Sequence, residues 1–217
     1  MKNFIIIVCF LSLASSYAKD KQDKQALQNI NDLDSELHSI DTQKKQTLIG
    51  GDIKGKGIVR INKGGIIDPT FEKNWVAGGF NGPVHKIVSR KNGSVVVGGD
   101  FTLFDTSLVG HIAILHKDGT LDRQAAKNMG VGFNGAVSAI EIERDGSIIV
   151  AGDFDDFNGT SVGRMVVLTA DGKLVRDLDK NRTIQGKINT LGNLYKKGLI
   201  MVGIEDSEIN SAVLKNK

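Results

Sequence analysis

The amino-acid sequence predicts an all-β protein built from about four similar units, each with three or four short strands. The first observation is that segment 95–101 (VVVGGDF) returns as 149–154 (IVAGDF), with weaker copies at 48–52 (LIGGD) and 200–203 (IMVG). A short apolar run that stops at Gly or Gly-Asp is typical of a buried strand ending where the backbone needs glycine. The second observation is that the copies recur roughly every 50 residues, which is the signature of a repeat architecture.

Composition narrows the class of protein. The chain has 217 residues and a net charge of +3, which is too small to predict a nucleic acid or an anionic membrane as its partner. Forty per cent of the residues are hydrophobic, enough for a packed core. Because the only cysteine, Cys9, lies in the N-terminal leader, we expect no disulfide and no thiolate site in the mature chain.

Residues 1–18 are typical of a secretory signal peptide. Lys2 precedes an apolar run at 4–13, and Ser16 and Ala18 place small residues before a cleavage site after Ala18. The run is too short to span a membrane as a helix. A lipoprotein signal at Cys9 is disfavoured because Ile-Ile-Val precedes that residue. We therefore expect an exported protein, periplasmic or extracellular at the cell surface, with no stable membrane insertion after cleavage.

Residues 19–36 are polar and charged, which predicts a linker or a short helix. Ile30, Leu33, Leu37 and Ile40 have the spacing of one face of an amphipathic helix. Residues 37–42 can therefore be read as the end of that helix or as the first strand of the repeats. The distance from Leu37 to the strand-ending glycines favours a strand.

Each unit follows one order of elements. It opens with apolar-x-x-apolar, continues through a turn to the strand that ends in glycine, and then reaches a third strand. The openings are LHSI at 37–40, VHKI at 84–87, VSAI at 137–140 and INTL at 188–191. We expect units at about 37–83, 84–136, 137–187 and 188–217.

The connection between the second and third strands is long in two neighbouring units, at 101–111 and 154–164, and shorter in units one and four. Loops that vary on a fixed strand scaffold are where binding usually resides. We expect the two long loops to lie side by side and to form an interaction face. Its candidate residues are Phe104, Asp105, Leu108, His111, Asp155, Asp156, Phe157 and Arg164.

Two repeated side chains beside the strand ends are predicted to be structural. Phe101 and Phe154 hold equivalent positions, and we expect both to be buried between sheets. Asp52, Asp100 and Asp153 also share one repeat position. Their expected role is to cap a turn by accepting hydrogen bonds from backbone N–H groups.

No motif predicts catalysis or a cofactor. Segment 50–56 (GGDIKGK) is close to a phosphate-binding loop, but Gly57 replaces the required Ser or Thr and a strand follows. Asp153, Asp155 and Asp156 are weak candidates for calcium, and a turn-forming role is favoured because their spacing is not that of a calcium loop. The four histidines have no metal-ligand spacing. We expect a protein that is not an enzyme and carries no cofactor.

The pattern resembles the delta-60 repeat family, of the DUF5122 type, of bacterial β-propeller-like proteins. Unit three carries the resemblance most fully, with Arg-Asp-Gly at 144–146, Gly-Asp-Phe at 152–154, Asn-Gly-Thr at 158–160, and Asp-Gly at 171–172. Unit two matches at 98–101 and 118–122, and Gly-Phe-Asn-Gly precedes units two and three. Ile204 in unit four departs from the aspartate of the family pattern.

The resemblance implies a β-propeller-like array, small or incomplete, because four units are the minimum for a closed ring. An open ring leaves a face and strand edges that must meet something, so we expect a protein partner or a homo-oligomer. The favoured function is a non-enzymatic interaction or scaffold module, such as a subunit of a bacterial cell-envelope or surface assembly. The alternatives are a ligand-binding lectin or adhesin that uses the long loops and, less favoured, a propeller-based enzyme.

Overall fold

The structure is a computed structural model that describes residues 36–43, 46–53, 55–62, 66–181, 183–184, 186–194, 199–205 and 211–215. The predicted signal peptide at 1–18, Cys9, and nearly all of the polar segment at 19–36 lie outside these residues. Within the described part of the chain, no helix is both long and apolar enough to cross a membrane.

The strands fall into four sheets that follow one another along the chain. Unit one contains β1 (Leu37–Gln43), β2 (Gln46–Gly51) and β3 (Ile58–Asn62). Unit two contains β4 (Val84–Ser89), β5 (Val95–Gly99), β6 (Leu103–Phe104), β7 (Ser107–Leu108), β8 (Ile112–Leu115) and the helix α1 (Arg123–Met129).

Units three and four continue the same pattern. Unit three contains β9 (Val137–Ile142), β10 (Ile148–Gly152), β11 (Asp156–Phe157), β12 (Thr160–Ser161), β13 (Met165–Leu168) and β14 (Leu174–Asp177). Unit four contains β15 (Lys187–Leu194), β16 (Leu199–Glu205) and β17 (Ser211–Lys215).

Every main sheet is an antiparallel meander. The strand orders are β1-β2-β3, β4-β5-β8, β9-β10-β13-β14 and β15-β16-β17, and two-stranded hairpins β6-β7 and β11-β12 stand apart from the sheets of units two and three. Residues 37–43 form a strand, since β1 pairs with β2 from Leu37 to Gln43. Leu37 and Ile40 therefore do not extend the helical face predicted at Ile30 and Leu33, which lie outside the described residues.

The first strands of successive units lie beside one another, as in a propeller. β1 contacts β4, β4 contacts β9, and β9 contacts β15. Side chains tie these inner strands together: the Ser39 hydroxyl accepts the Ile87 N–H at 3.0 Å, and the Ser138 hydroxyl donates to the Ile188 carbonyl. The prediction of an all-β, propeller-like array of about four units is confirmed.

Three apolar cores lie between successive sheets, and glycine allows the sheets to approach. The cores join units one and two, units two and three, and units three and four. A β-carbon built on Gly98 would lie only 2.4 Å from Cγ1 of Val137 in the next unit, and one built on Gly50 would lie 2.6 Å from Cγ1 of Val84. In units two and three, the opening apolar residue therefore packs on a glycine in the second strand of the preceding unit.

A buried ion pair fixes the chain between units one and two. The Arg60 guanidinium lies 2.8 Å from the Asp68 carboxylate and 4.6 Å from the centre of the Phe71 ring. Burial alone would raise the pKa of Asp68, but hydrogen bonds from Thr70 and Arg60 hold that pKa below its usual value. The carboxylate is therefore charged in the folded protein at neutral pH.

Candidate interaction face

Two small hairpins project where the second strands of units two and three end. They are β6-β7, within loop 101–111, and β11-β12, within loop 154–164. Their turns contain Asp105 and Asn158 at φ values of 51° and 49°, a left-handed conformation that Asp and Asn tolerate better than most residues. The two hairpins are thus equivalent structures with different side chains.

One asparagine holds the base of each hairpin. The Asn134 side-chain carbonyl accepts the N–H groups of Asp155 and Asp156, both at 3.1 Å. Asn81 accepts the corresponding N–H groups of Thr102 and Leu103, at 2.9 and 2.8 Å. We did not assign these asparagines a role from the sequence. The available signal was their repetition in the two Gly-Phe-Asn-Gly tracts.

In each hairpin, the residue at the turn accepts hydrogen bonds from the segment that precedes the unit. Asp105 Oδ1 accepts N–H groups from Ala77 and Gly79, at 3.1 and 3.2 Å. Asn158 Oδ1 accepts the Val131 N–H at 3.2 Å. These bonds fix the orientation of both hairpins, because each turn is anchored at its tip as well as at its base.

Two of the predicted face residues are buried and belong to the core. Phe104 and Phe157 expose only 2% and 3% of their surface. Phe157 packs on Phe133 at 4.6 Å between ring centres, and Phe133 packs on Phe154 at 4.1 Å. Phe104 and Phe157 cannot offer their rings to a partner, because each ring closes the apolar core beneath its hairpin. The interaction-face prediction is wrong for these two side chains, whereas the predicted burial of Phe101 and Phe154 is confirmed.

The two long loops meet through a shared segment, 130–133. The Gly110 carbonyl accepts the Phe133 N–H at 2.9 Å, and a β-carbon on Gly110 would lie 1.9 Å from the Val131 carbonyl oxygen. On its other side, the Gly132 carbonyl accepts the Asn158 N–H at 2.8 Å. Loop 101–111, segment 130–133 and loop 154–164 therefore form one continuous surface, which we call the loop face.

Two large apolar side chains of the loop face are exposed to solvent. Leu108 exposes 54% of its surface and Val131 exposes 55%. Leu108 lies two residues before Gly110, and Val131 lies in the segment that Gly110 contacts. The two hairpins and their bases also carry exposed polar residues, namely Thr102, Thr106, Asp155, Asn158, Thr160 and Ser161. The loop face thus combines apolar surface with a polar surround.

Other predicted face residues form hydrogen bonds or ion pairs with groups of the same chain. A His111 ring nitrogen lies 3.2 Å from the Gly99 carbonyl oxygen, and Arg164 forms an ion pair with Asp153 at 2.6 Å. Asp155 Oδ1 accepts a hydrogen bond from the Asn134 amide at 2.7 Å. Asp156 accepts the Gly159 N–H at 2.8 Å, which is the turn-forming role favoured on the sequence.

The aspartates after the strand-ending glycines do not act as the predicted turn caps in units two and three. Asp100 pairs with His85 at 3.0 Å, and Asp153 pairs with Arg164. These carboxylates contact a neighbouring basic side chain rather than the local backbone. The aspartates of the Asp-Gly turns accept such backbone hydrogen bonds instead. Hydrogen bonds from Thr120 lower the pKa of Asp118 there, and hydrogen bonds from Ser147 lower that of Asp145.

Equivalent histidines of units one and two meet at the same end of the inner strands. The His38 and His85 rings form an edge-to-face pair with centres 5.2 Å apart. Burial and the neighbouring His85 lower the pKa of His38, against the opposing effect of Glu36, Asp52 and Asp100. His38 is therefore mostly neutral at pH 7.

An open cleft of ≈ 400 Å³ adjoins the hairpin of unit three. Asn134, Asp153, Asp155 and Arg164 line it, together with the buried carboxylate of Asp179. Asp179 Oδ1 accepts the N–H groups of Thr183 and Ile184, at 2.7 and 3.1 Å. Within the described ranges, no group of three His, Cys, Asp or Glu side chains converges as a metal site requires.

The match to a known family falls on units two and three. Residues 90–124 and 143–174 match the model of a family described as a domain of unknown function, DUF5122 beta-propeller. The two matches begin at equivalent places in units two and three. These segments are repeats of the DUF5122 β-propeller family. The match confirms the resemblance to that family seen in the sequence.

The DUF5122 repeats carry no assigned activity, and solved structures add similarity of shape alone. A protein of unknown function from Bacteroides caccae is 19% identical with a TM-score of 0.46, covering 70% of this chain and 52% of its own. The Pan2 WD40 domain of Neurospora crassa is 13% identical with a TM-score of 0.45, covering 83% of this chain and 50% of its own. This chain therefore spans about half the length of each. No curated protein matches it.

Proposed function

We propose that this chain is an exported, non-enzymatic protein-interaction module, such as a subunit of a bacterial cell-envelope or surface assembly, and that its protein partner binds the loop face. A propeller domain with a rigid, partly apolar loop surface is consistent with an interaction module.

The observation that carries the proposal is that Leu108 and Val131 are both exposed, on two segments whose backbones meet at Gly110. Protein interfaces have an apolar centre inside a polar rim, and a few central residues provide most of the binding energy. Leu108 and Val131 supply such a centre, and the hydroxyl and carboxylate groups of the hairpins supply the rim.

The rigidity of the loop face also supports binding. Asn81 and Asn134 hold the hairpin bases, and Asp105 and Asn158 hold the tips. A surface that is already ordered loses little conformational entropy when a partner binds. The hairpins are not required for the strands of every unit, because β2 and β3 of unit one are joined without one.

The decisive experiment replaces the apolar centre and leaves the core intact. Leu108→Glu with Val131→Glu, in the protein purified from its native cell envelope by an affinity tag, should lose partners that the wild type retains. Val175→Glu is the control, because Val175 is equally exposed at 53% but lies on β14, outside loops 101–111 and 154–164 and segment 130–133. Circular dichroism melting should show all three proteins folded. If the double variant keeps every partner in stoichiometric amount, the loop face is not the binding surface.

A second candidate, a lectin or adhesin, draws on one observation, the polar cleft beside the unit-three hairpin. Arg164, Asn134 and three aspartates could hydrogen-bond the hydroxyl groups of a sugar. Glycan-array binding that Arg164→Ala abolishes and Leu108→Glu leaves unchanged would favour this function over the interaction module. Binding of neither glycan nor protein by the folded wild type would count against both.

The export component has its own test. Mass spectrometry of the protein recovered from the periplasm or medium should find Lys19 as the first residue, because the cleavage motif ends at Ala18. A lipid-modified Cys9, or a cytoplasmic protein that retains Met1, would contradict it.

A further inference from the structure

The inner strands of units one and two each carry a histidine at a β-bulge. The pairing of β1 with β2 skips His38, and the pairing of β4 with β5 skips His85. The same position is skipped in units three and four, where it holds Ser138 and Asn189. A bulge leaves its extra residue outside the hydrogen-bonded ladder and redirects that side chain. The four bulges therefore place one polar residue of each unit at the same end of the inner strands.

The fold itself does not require an imidazole at this position, because units three and four form the same bulge with serine and asparagine. The Ser138 hydroxyl ties its strand to the next unit by donating to the Ile188 carbonyl. His38, in contrast, is exposed and meets unit two through the edge-to-face contact with the ring of His85. The side chain of His85 is itself 26% exposed. Two imidazoles thus lie side by side within reach of solvent.

The spacing of the two rings is that of imidazoles bound to one tetrahedral metal ion. A zinc–nitrogen bond of about 2.0–2.1 Å places the centre of an imidazole ring roughly 3.2 Å from the metal, and a tetrahedral angle then separates two such centres by about 5.2 Å. The ring centres of His38 and His85 are 5.2 Å apart. No movement of the strands is therefore needed to bring the two rings to this spacing.

A carboxylate orients one of the two rings. His85 Nε2 lies 3.0 Å from Asp100 Oδ2, and because an ionised carboxylate only accepts, Nε2 carries the hydrogen and Nδ1 presents a lone pair. Metal-binding histidines almost always donate their other N–H to such a partner. The carboxylates of Glu36, Asp52 and Asp100 also act electrostatically on His38. Their negative charge favours a cation beside the pair of rings.

We propose that His38 and His85 together bind a zinc ion across the junction of units one and two, with Asp100 as the positioning residue for His85. Structural zinc sites use four protein ligands and catalytic sites three, and no three His, Cys, Asp or Glu side chains of the described residues gather into such a group. Water therefore occupies the remaining positions, and the ion exchanges with solvent. This inference does not depend on the loop face or on export, and other variants test it.

The test is calorimetric titration of Zn²⁺ into the full-length chain at neutral pH, with Cys9→Ser and a purification tag free of histidine. One ion should bind per chain. His38→Gln and His85→Gln should each weaken binding by about tenfold or more, and Asp100→Asn by about tenfold, because His85 then loses its orienting carboxylate. Asp100→Glu, which keeps a carboxylate, should recover part of that loss. Zn²⁺ should raise the Tm of the wild type more than that of the weakened variants.

The matched control is His116→Gln, since His116 is also exposed but lies beside the turn at 118–119, and zinc affinity should stay unchanged. Excess Ca²⁺ should not displace the zinc, because calcium prefers oxygen ligands. Should a glutamine variant fail to fold, His38→Asn or His85→Asn replaces it, with the residue type that unit four carries at this position.

Three results would overturn the zinc proposal. The first is a folded wild type that binds no Zn²⁺, and the second is equal affinity in the wild type and in the variants of His38 and His85. The third is displacement of zinc by Ca²⁺, which would assign the binding to the neighbouring carboxylates instead of the two imidazoles.

Discussion

Replacing Phe101 by alanine tests how the units pack. Phe101 follows the strand-ending Gly99 and is fully buried, with its ring 4.2 Å from that of Phe80. Phe154 is its equivalent in unit three, 4.1 Å from Phe133. Both rings fill the apolar core that joins a unit to its hairpin, so the variant leaves a cavity below the loop face.

The magnitude follows from burial and ring contact. Removing a fully buried Phe side chain forfeits about 1.5–3 kcal/mol of transfer free energy, and the aromatic pair adds about 0.5–1.5 kcal/mol. With the cavity, the unfolding free energy should fall by about 3–5 kcal/mol. For a chain of this size that lowers Tm by roughly 6–20 °C. Because total stability is typically about 5–15 kcal/mol, Phe101→Ala with Phe154→Ala should not fold.

The assay is thermal and urea unfolding followed by circular dichroism and by fluorescence of Trp75, the only tryptophan. Trp75 packs on Phe104 at 5.4 Å between ring centres and reports on the same core. Val175→Ala, an exposed substitution, is the control and should melt with the wild type. Should Phe101→Ala and Phe154→Ala both melt within a degree of the wild type, the assignment of these residues to equivalent core positions is refuted.

Three further outcomes are expected from thermal melts. Asp68→Asn leaves Arg60 buried without its charge partner and should cost about 3–5 kcal/mol at pH 7. Because the folded pKa of Asp68 is lowered, its contribution is present above the usual carboxyl pKa of about 4 and is lost as pH falls further, so the deficit should shrink there. Because the pKa of His38 is lowered in the folded protein, the unfolded chain binds a proton at this residue first, and acid therefore favours unfolding. The variant His38→Gln should lose less stability than the wild type as pH falls below about 6.5. Gly98→Ala should destabilise by about 1–3 kcal/mol through overlap with Val137, and adding Val137→Ala should cost less than the two separate effects combined.

Much of the fold could be predicted because its determinants are local. Alternation of apolar residues, turn dipeptides and strand-ending glycines report strands and their ends within a few residues of sequence. Their recurrence then sets the number of units. Only the position of the candidate face, in the two long loops, could be predicted. Loop length distinguishes units two and three from units one and four, but it does not show which side chains are exposed.

The individual side chains of the loop face could not be read from sequence for a physical reason. Phe104 and Leu108 are both apolar and stand on the same hairpin, yet one is buried and the other exposed. Which of them turns inwards depends on Phe80, from the connection before the unit, whose ring lies 4.8 Å from that of Phe104. Val131 was missed altogether, because it belongs to a connection and becomes part of the face only where Gly110 meets it.

The sequence by itself determined the all-β class, the four-unit period and the burial of Phe101 and Phe154, since each depends on residue type at a repeated position. Only the tertiary structure decided that residues 37–43 form a strand, that Asp100 and Asp153 bind His85 and Arg164 in place of the backbone, and that Ile40 is exposed whereas its equivalent Ile87 is buried. Each ion pair joins a strand end to another segment of the same unit, so it depends on how the strands of that unit fold together. The exposure of Ile40 depends on which unit lies beside the first strand, and a repeat pattern does not specify this at the ends of the array.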